Sequence, residues 1–239
     1  MPSLDDGLLA QLDILIDLAA DRGGLLLDRD ERLARSETSL LASALGLDPI
    51  PAGPRSSAPA VEAPPRFGDD AVELLRSLAE SVGILREHAG RLEVTSLYGA
   101  WRRIALQLRA GLVYASWCHR VHWPNLVANG DDLAAEQLAH RRIRVLRLLF
   151  DLPAGVAVTL TGLADTVADA TGLPAGPWLC SALTAVFLDP LVALGVAQLE
   201  PDSLRPPTTL HLGPLARTVI GSALVAAGEE VPLAPAGAN

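Results

Sequence analysis

The stretch "WCHRVH" places Cys118 and His122 four residues apart, which on a helix is one face. A thiolate and an imidazole at that spacing are half of a zinc site. Completion would fall to Cys180, His88, His119, His140 or His211, and none of these adds a second closely spaced pair. No metal and no cofactor is expected, and a buried thiol beside a helix-face histidine accounts for the motif. All 19 basic residues are Arg, so a phosphate-cradling GxxxxGK loop cannot be written. "GSALV" is no nucleophile elbow, and Asp131 with Asp132 reads as a helix start rather than a catalytic pair. No Ser, His and Asp pattern converges, so catalysis is not expected.

The second candidate chemistry is phosphate binding. Arg102, Arg103 and Arg109 cluster in the middle of the chain, followed by Arg120 and then by Arg141, Arg142, Arg144 and Arg147. Trp101, Trp117 and Trp123 lie among them and could add a stacking surface. The competing account pairs these arginines with acids and lays their stems on apolar surface. Net charge favours that account. It is −9 overall, and only residues 69–150 lean positive, with 11 Arg against 9 acids. The flanks are strongly acidic, which disfavours non-specific binding to a phosphate backbone.

These residues need elements to hold them. Residues 8–20 are apolar at helical spacing, with Asp13 and Asp17 four apart on one face. "LLLD" reads as a short strand and "RSETSLLASALGL" as a helix, capped at Ser36 or Ser39 and stopped at Gly46. Residues 48–66 carry six prolines and no hydrophobic period, and read as a flexible insertion. A helix over 69–82 follows. Then comes strand, turn and strand around Ala89 and Gly90, and helix over 97–121. A long helix spans 131–150, a strand 156–160, and a helix runs from a Thr161 cap to Gly172. The helix after Pro177 is kinked or split at Pro190. "VAQLE" and "TTLHL" are strands around "PDSLRPP", and "GPLARTVIGSALVAAG" is a closing helix.

From residue 131 this order, with "LVALGVAQLE" leading into the last two strands, resembles the winged helix-turn-helix superfamily. The N-terminal part is similar, with "VGIL" at 82–85 in the place of "LGVA" at 194–197. The expected fold is mainly α with short β-hairpins: two winged-helix-like units joined by a central helical connector. The expected bounds are 1–110, with the insertion at 48–66, then a connector at 111–130, a second unit at 131–228 and a disordered tail at 229–239.

In DNA-binding members of that superfamily the third helix enters the major groove with basic or amide side chains. The matching helix here, 178–194, has no basic residue. It offers Trp178, Leu179, Leu183, Val186 and Phe187, more apolar residues than one packed face needs. The expected function is a non-catalytic protein-interaction or assembly module, with those five residues at the contact and the chain pairing with itself as a homodimer, with another protein, or both. The alternative is a DNA-binding transcriptional regulator using Arg102, Arg103, Arg109, Arg141, Arg142 and Arg144. The acidic opening is no signal peptide and no run is long enough to span a bilayer, so a cytoplasmic protein with reduced cysteines is expected.

Overall fold

The computed structural model describes residues 7–46, 69–121, 132–202 and 205–231. The chain is mainly helical, with two small antiparallel sheets of three strands. The Pro-rich stretch 48–66 lies outside the described residues. The chain divides into two compact units: Ala10–Arg103, and Ile104–Asn239 together with Met1–Leu9.

The N-terminal unit runs α1 (Leu8–Asp21), β1 (Leu25–Leu26), α2 (Arg35–Ala44), α3 (Asp69–Val82), β2 (Leu85–His88), β3 (Arg91–Val94) and α4 (Tyr98–Trp101). Its sheet order is β1-β3-β2. Leu12, Leu15, Ile16 and Ala19 of α1 are buried, as are Val72, Leu75 and Leu78 of α3; each set repeats every three to four residues. The β2–β3 hairpin is tight: His88 pairs with Arg91, leaving Ala89 and Gly90 as a two-residue loop. Both have positive φ, 51° and 73°, as a turn matching the right-handed twist of the strands requires. Neither Ser36 nor Ser39 caps α2; the cap position is Ala34, and Ser39 Oγ donates back to the Arg35 carbonyl.

The C-terminal unit contains α5 (Leu106–Arg120), α6 (Asp132–Asp151), β4 (Ala157–Thr159), α7 (Leu160–Thr171), α8 (Pro177–Leu183), α9 (Asp189–Ala193), β5 (Ala197–Asp202), β6 (Arg205–Leu212) and α10 (Ala216–Ala226). The sheet order is β4-β6-β5, so the first strand again lies beside the third. Thr159, not Thr161, caps α7, accepting from Gly162 N at 3.2 Å. Gly172 ends that helix at φ 71°, as its position after the last apolar repeat implies. β6 begins at Arg205, so it includes both prolines that the sequence places in a loop.

The region 97–121 is two helices rather than one, and the helix expected as a separate connector is not separate. α5 packs along α10 inside the C-terminal unit, so closely that a Cβ on Gly111 would stand 2.9 Å from the Ser222 Cβ. The strand-to-helix junction after β6 thus has a plain purpose. The strand closes the small sheet, and the helix after it turns back to fill the core with Val219, Ile220, Ala223 and Leu224. Of the tail expected at 229–239, residues 229–231 are described: Glu229 and Glu230 are tied to α6 by Arg147, whose Nη2 lies 2.8 Å from Glu229 Oε2 and 3.2 Å from the Glu230 carbonyl, and the rest lies outside the described residues.

Candidate functional site

Four of the five residues expected at a contact face are core residues of their own unit. Leu179, Val186 and Phe187 are 0% exposed and Leu183 is 1%. The segment is also reshaped at Pro190. A proline has no N–H, so the Val186 carbonyl four residues earlier loses its helical donor. The chain widens into a π turn over Thr184–Leu188, and α5 supplies the missing donor: Trp117 Nε1 bonds the Val186 carbonyl at 2.7 Å. Tyr114 Oη donates to the Phe187 carbonyl at 3.2 Å. The surplus apolar face seen in the sequence is therefore covered within the same unit: α8 packs on α6 and α7, and α5 bonds the carbonyls of Val186 and Phe187. Of the five, only Trp178 reaches solvent, half-buried at the start of α8.

The arginines are placed with equal consequence. Arg141 Nε donates to the Thr171 carbonyl at 2.9 Å and Arg144 to the Ala170 carbonyl at 3.1 Å, so α6 caps the C-terminus of α7. Arg142 Nε donates to His119 Nδ1 at 3.1 Å. A guanidinium only donates, so Nδ1 is the acceptor, and Nε2 carries the proton it gives the Ala223 carbonyl at 2.7 Å. Arg102 pairs with Asp13 at 3.2 Å and with Asp17. The two aspartates on one face of α1 also accept from Trp101 Nε1 at 2.9 Å and Tyr98 Oη at 3.0 Å, so they hold α4 in place. Arg109 is half-buried on α5, and Arg103 is exposed. Arg102 and Arg103 belong to the N-terminal unit and the other candidates to α5 and α6 of the C-terminal unit, and most are held by carbonyls or carboxylates. The composition could not show this, because a side chain's partner depends on distant sequence.

α3, the third helix of the N-terminal unit, tells the same story. Arg76 bridges Glu73 at 3.3 Å and Glu80 at 3.2 Å, and also donates to the Glu31 carbonyl. Glu73 Oε1 accepts from Leu33 N at 3.1 Å. Burial lifts Glu80 above the ordinary carboxylate range.

The reactive side chains are muted. Cys118 is buried, and removal from water raises its thiol far above the range in which a thiolate forms. Cys180 is also raised, first by burial and then by the charge of Asp165. His122 lies outside the described residues. Among the described residues no three His, Cys, Asp or Glu side chains are grouped to hold a metal ion. A hollow of about 310 Å3 opens between the end of α6 and the start of α10, with Asp151 and Arg217 at its edge. Arg217 lies over the Phe150 ring at 4.5 Å. Apolar side chains and backbone line most of the rest.

The feature missed in the sequence is the composite outer surface of α7 and α8. Thr161, Gly162, Asp165, Thr166, Asp169 and Ala170 form the exposed side of α7. Pro177 and Ser181 are exposed on α8, with Trp178, Thr184 and Ala185 half-buried beside them. The available signal was a total lack of cations: from Leu148 to Leu204 the chain has no Arg, Lys or His. No helix among the described residues is long and apolar enough to cross a membrane. Compared with known proteins, the chain matches no family model, no curated protein and no solved structure.

Proposed function

We propose that the chain is a non-catalytic protein-interaction or assembly module built on two winged-helix units. The element order, and the placing of the first strand beside the third in both sheets, support the winged-helix reading. The observation that carries the function is the fate of the basic residues. Arg141 and Arg144 cap a helix, Arg142 is engaged with a histidine, and Arg102 and Arg76 are ion-paired. The helix that would enter a major groove instead presents Pro177, Trp178 and Ser181, with no charge to hold phosphate. The test is a titration of the full chain with duplex DNA at low and at physiological salt. No binding at either is the expected result. Binding at low salt that falls steeply as salt rises overturns the reading, because that slope counts phosphates neutralised.

A further inference from the structure

We infer that the outer face of α7 and α8 is a docking surface for a basic segment of a different protein, one that sets Arg or Lys beside an apolar side chain. The inference rests on the interaction-module reading and names its surface and partner chemistry. The two helices pack against one another, with Cys180 Sγ on α8 3.9 Å from the Leu160 carbonyl at the start of α7, so their outward faces adjoin. The face has an apolar anchor in half-buried Trp178, flanked by exposed Pro177 and Ser181. Its rim carries Asp165 and Asp169, both exposed and neither ion-paired with a described residue. Arg141 and Arg144 reach the C-terminal end of α7 beside Asp169, where they sit on the Thr171 and Ala170 carbonyls, while Asp165 lies a turn away.

Charge complementarity selects the occupant. A phosphate backbone meets only carboxylates on α7 and α8, and an anionic surface of any kind is repelled. A second copy of this chain meeting the same face about a twofold axis would set Asp165 and Asp169 against their own counterparts. A partner with a guanidinium or ammonium near an apolar side chain meets both halves of the face. Trp178 would take the apolar contact and the stem of the cation, and the carboxylates its head.

The experiment uses the full chain, a short synthetic peptide alternating Arg and Leu, and its counterpart alternating Glu and Leu. The basic peptide is expected to bind and the acidic one not to. Affinity should fall about tenfold in the double variant Asp165→Asn, Asp169→Asn, and similarly in Trp178→Ala. Ser181→Arg, on an exposed site, adds a cation to the face and should weaken binding without touching the core. A control, Asp30→Asn with Glu87→Gln in the N-terminal unit, removes the same charge elsewhere and should leave affinity unchanged. Equal loss in the control means attraction by net charge alone and overturns the inference, as does failure of the unaltered chain to bind the basic peptide. Self-association in sedimentation that the Asp165, Asp169 variant abolishes also overturns it, since a second copy is then the occupant. If the peptide fails and DNA also fails to bind, this face is wrong while the interaction-module reading stands. If DNA binds, that reading itself falls.

Discussion

Asp189 is an acid whose carboxyl is shifted by partial removal from water. It stands half-buried at the end of the π turn, and burial alone pushes its carboxyl up to about 6. The folded chain therefore holds a proton there between about pH 4 and pH 6 that the unfolded chain releases. Stability linked to this group is fully present below about pH 4 and is lost as pH rises through 6. Asp189→Asn removes the charge that must be buried. It should stabilise the protein at pH 7 on the order of 1 kcal/mol, allowing for the solvent that still reaches the group. Thermal melts of the variant and the parent should converge as pH falls to 4. A constant gap across that range refutes the account. At the same scale, Ala89 shows a residue holding a conformation it does not favour: its φ of 51° is forced by the two-residue hairpin loop, where Asn or Gly is the usual choice.

Helices α5, α8 and α9 are coupled by one missing donor. Pro190 is legible in the sequence as a break, but the sequence does not say who satisfies the carbonyl it abandons. Trp117 does so from α5, some 70 residues earlier. Trp117→Phe keeps most of the packing and leaves the Val186 carbonyl buried without its indole donor, a cost of about 1–3 kcal/mol. Pro190→Ala returns an N–H to the helix. In the background of Trp117→Phe it should therefore recover part of the loss, and a double-mutant cycle by denaturant unfolding should show coupling of about 1 kcal/mol. Strict additivity of the two changes would mean that the indole bond and the proline are unrelated. The Gly111 contact belongs here too, since only a missing side chain lets α5 lie so near Ser222 on α10.

For the whole molecule the decisive matter is where its charge is spent. A chain of net charge −9 whose 19 basic residues are all arginine can hold them as a surface patch or as internal ties. Among the described residues several are ties: Arg91 reaches the carbonyls of Gly23 at 3.2 Å and Gly24 at 2.6 Å, Arg141 and Arg144 those of α7, and Arg147 that of Glu230. Replacing Arg141 and Arg144 together by Ala should consequently lower stability by about 1–2 kcal/mol, through lost capping of α7. A melt checks this without any ligand. An unchanged melt would return these arginines to the list of side chains free to hold a partner.

Much of the local structure was written in the sequence. Helical periodicity marked α1, α3, α6 and α10; Gly172 and Gly83 ended helices, and Ala89-Gly90 turned a hairpin, because these signals act within a few residues. Caps were less legible: Thr159 and Ala34 took positions that the sequence pattern assigned to Thr161 and to Ser36 or Ser39. The site was the least legible. Trp178 and Phe187 look alike as apolar residues of one segment, yet one is half-buried and the other fully covered, with Tyr114 of α5 bonded to the Phe187 carbonyl from a distant part of the chain. The same holds for Arg141, an apparent phosphate ligand that became a helix cap. Hydrophobic pattern and turn chemistry are local, and they determined which elements form. Burial of a given face and the partner of a given charge are set by segments far away along the chain, and only the tertiary structure decided them.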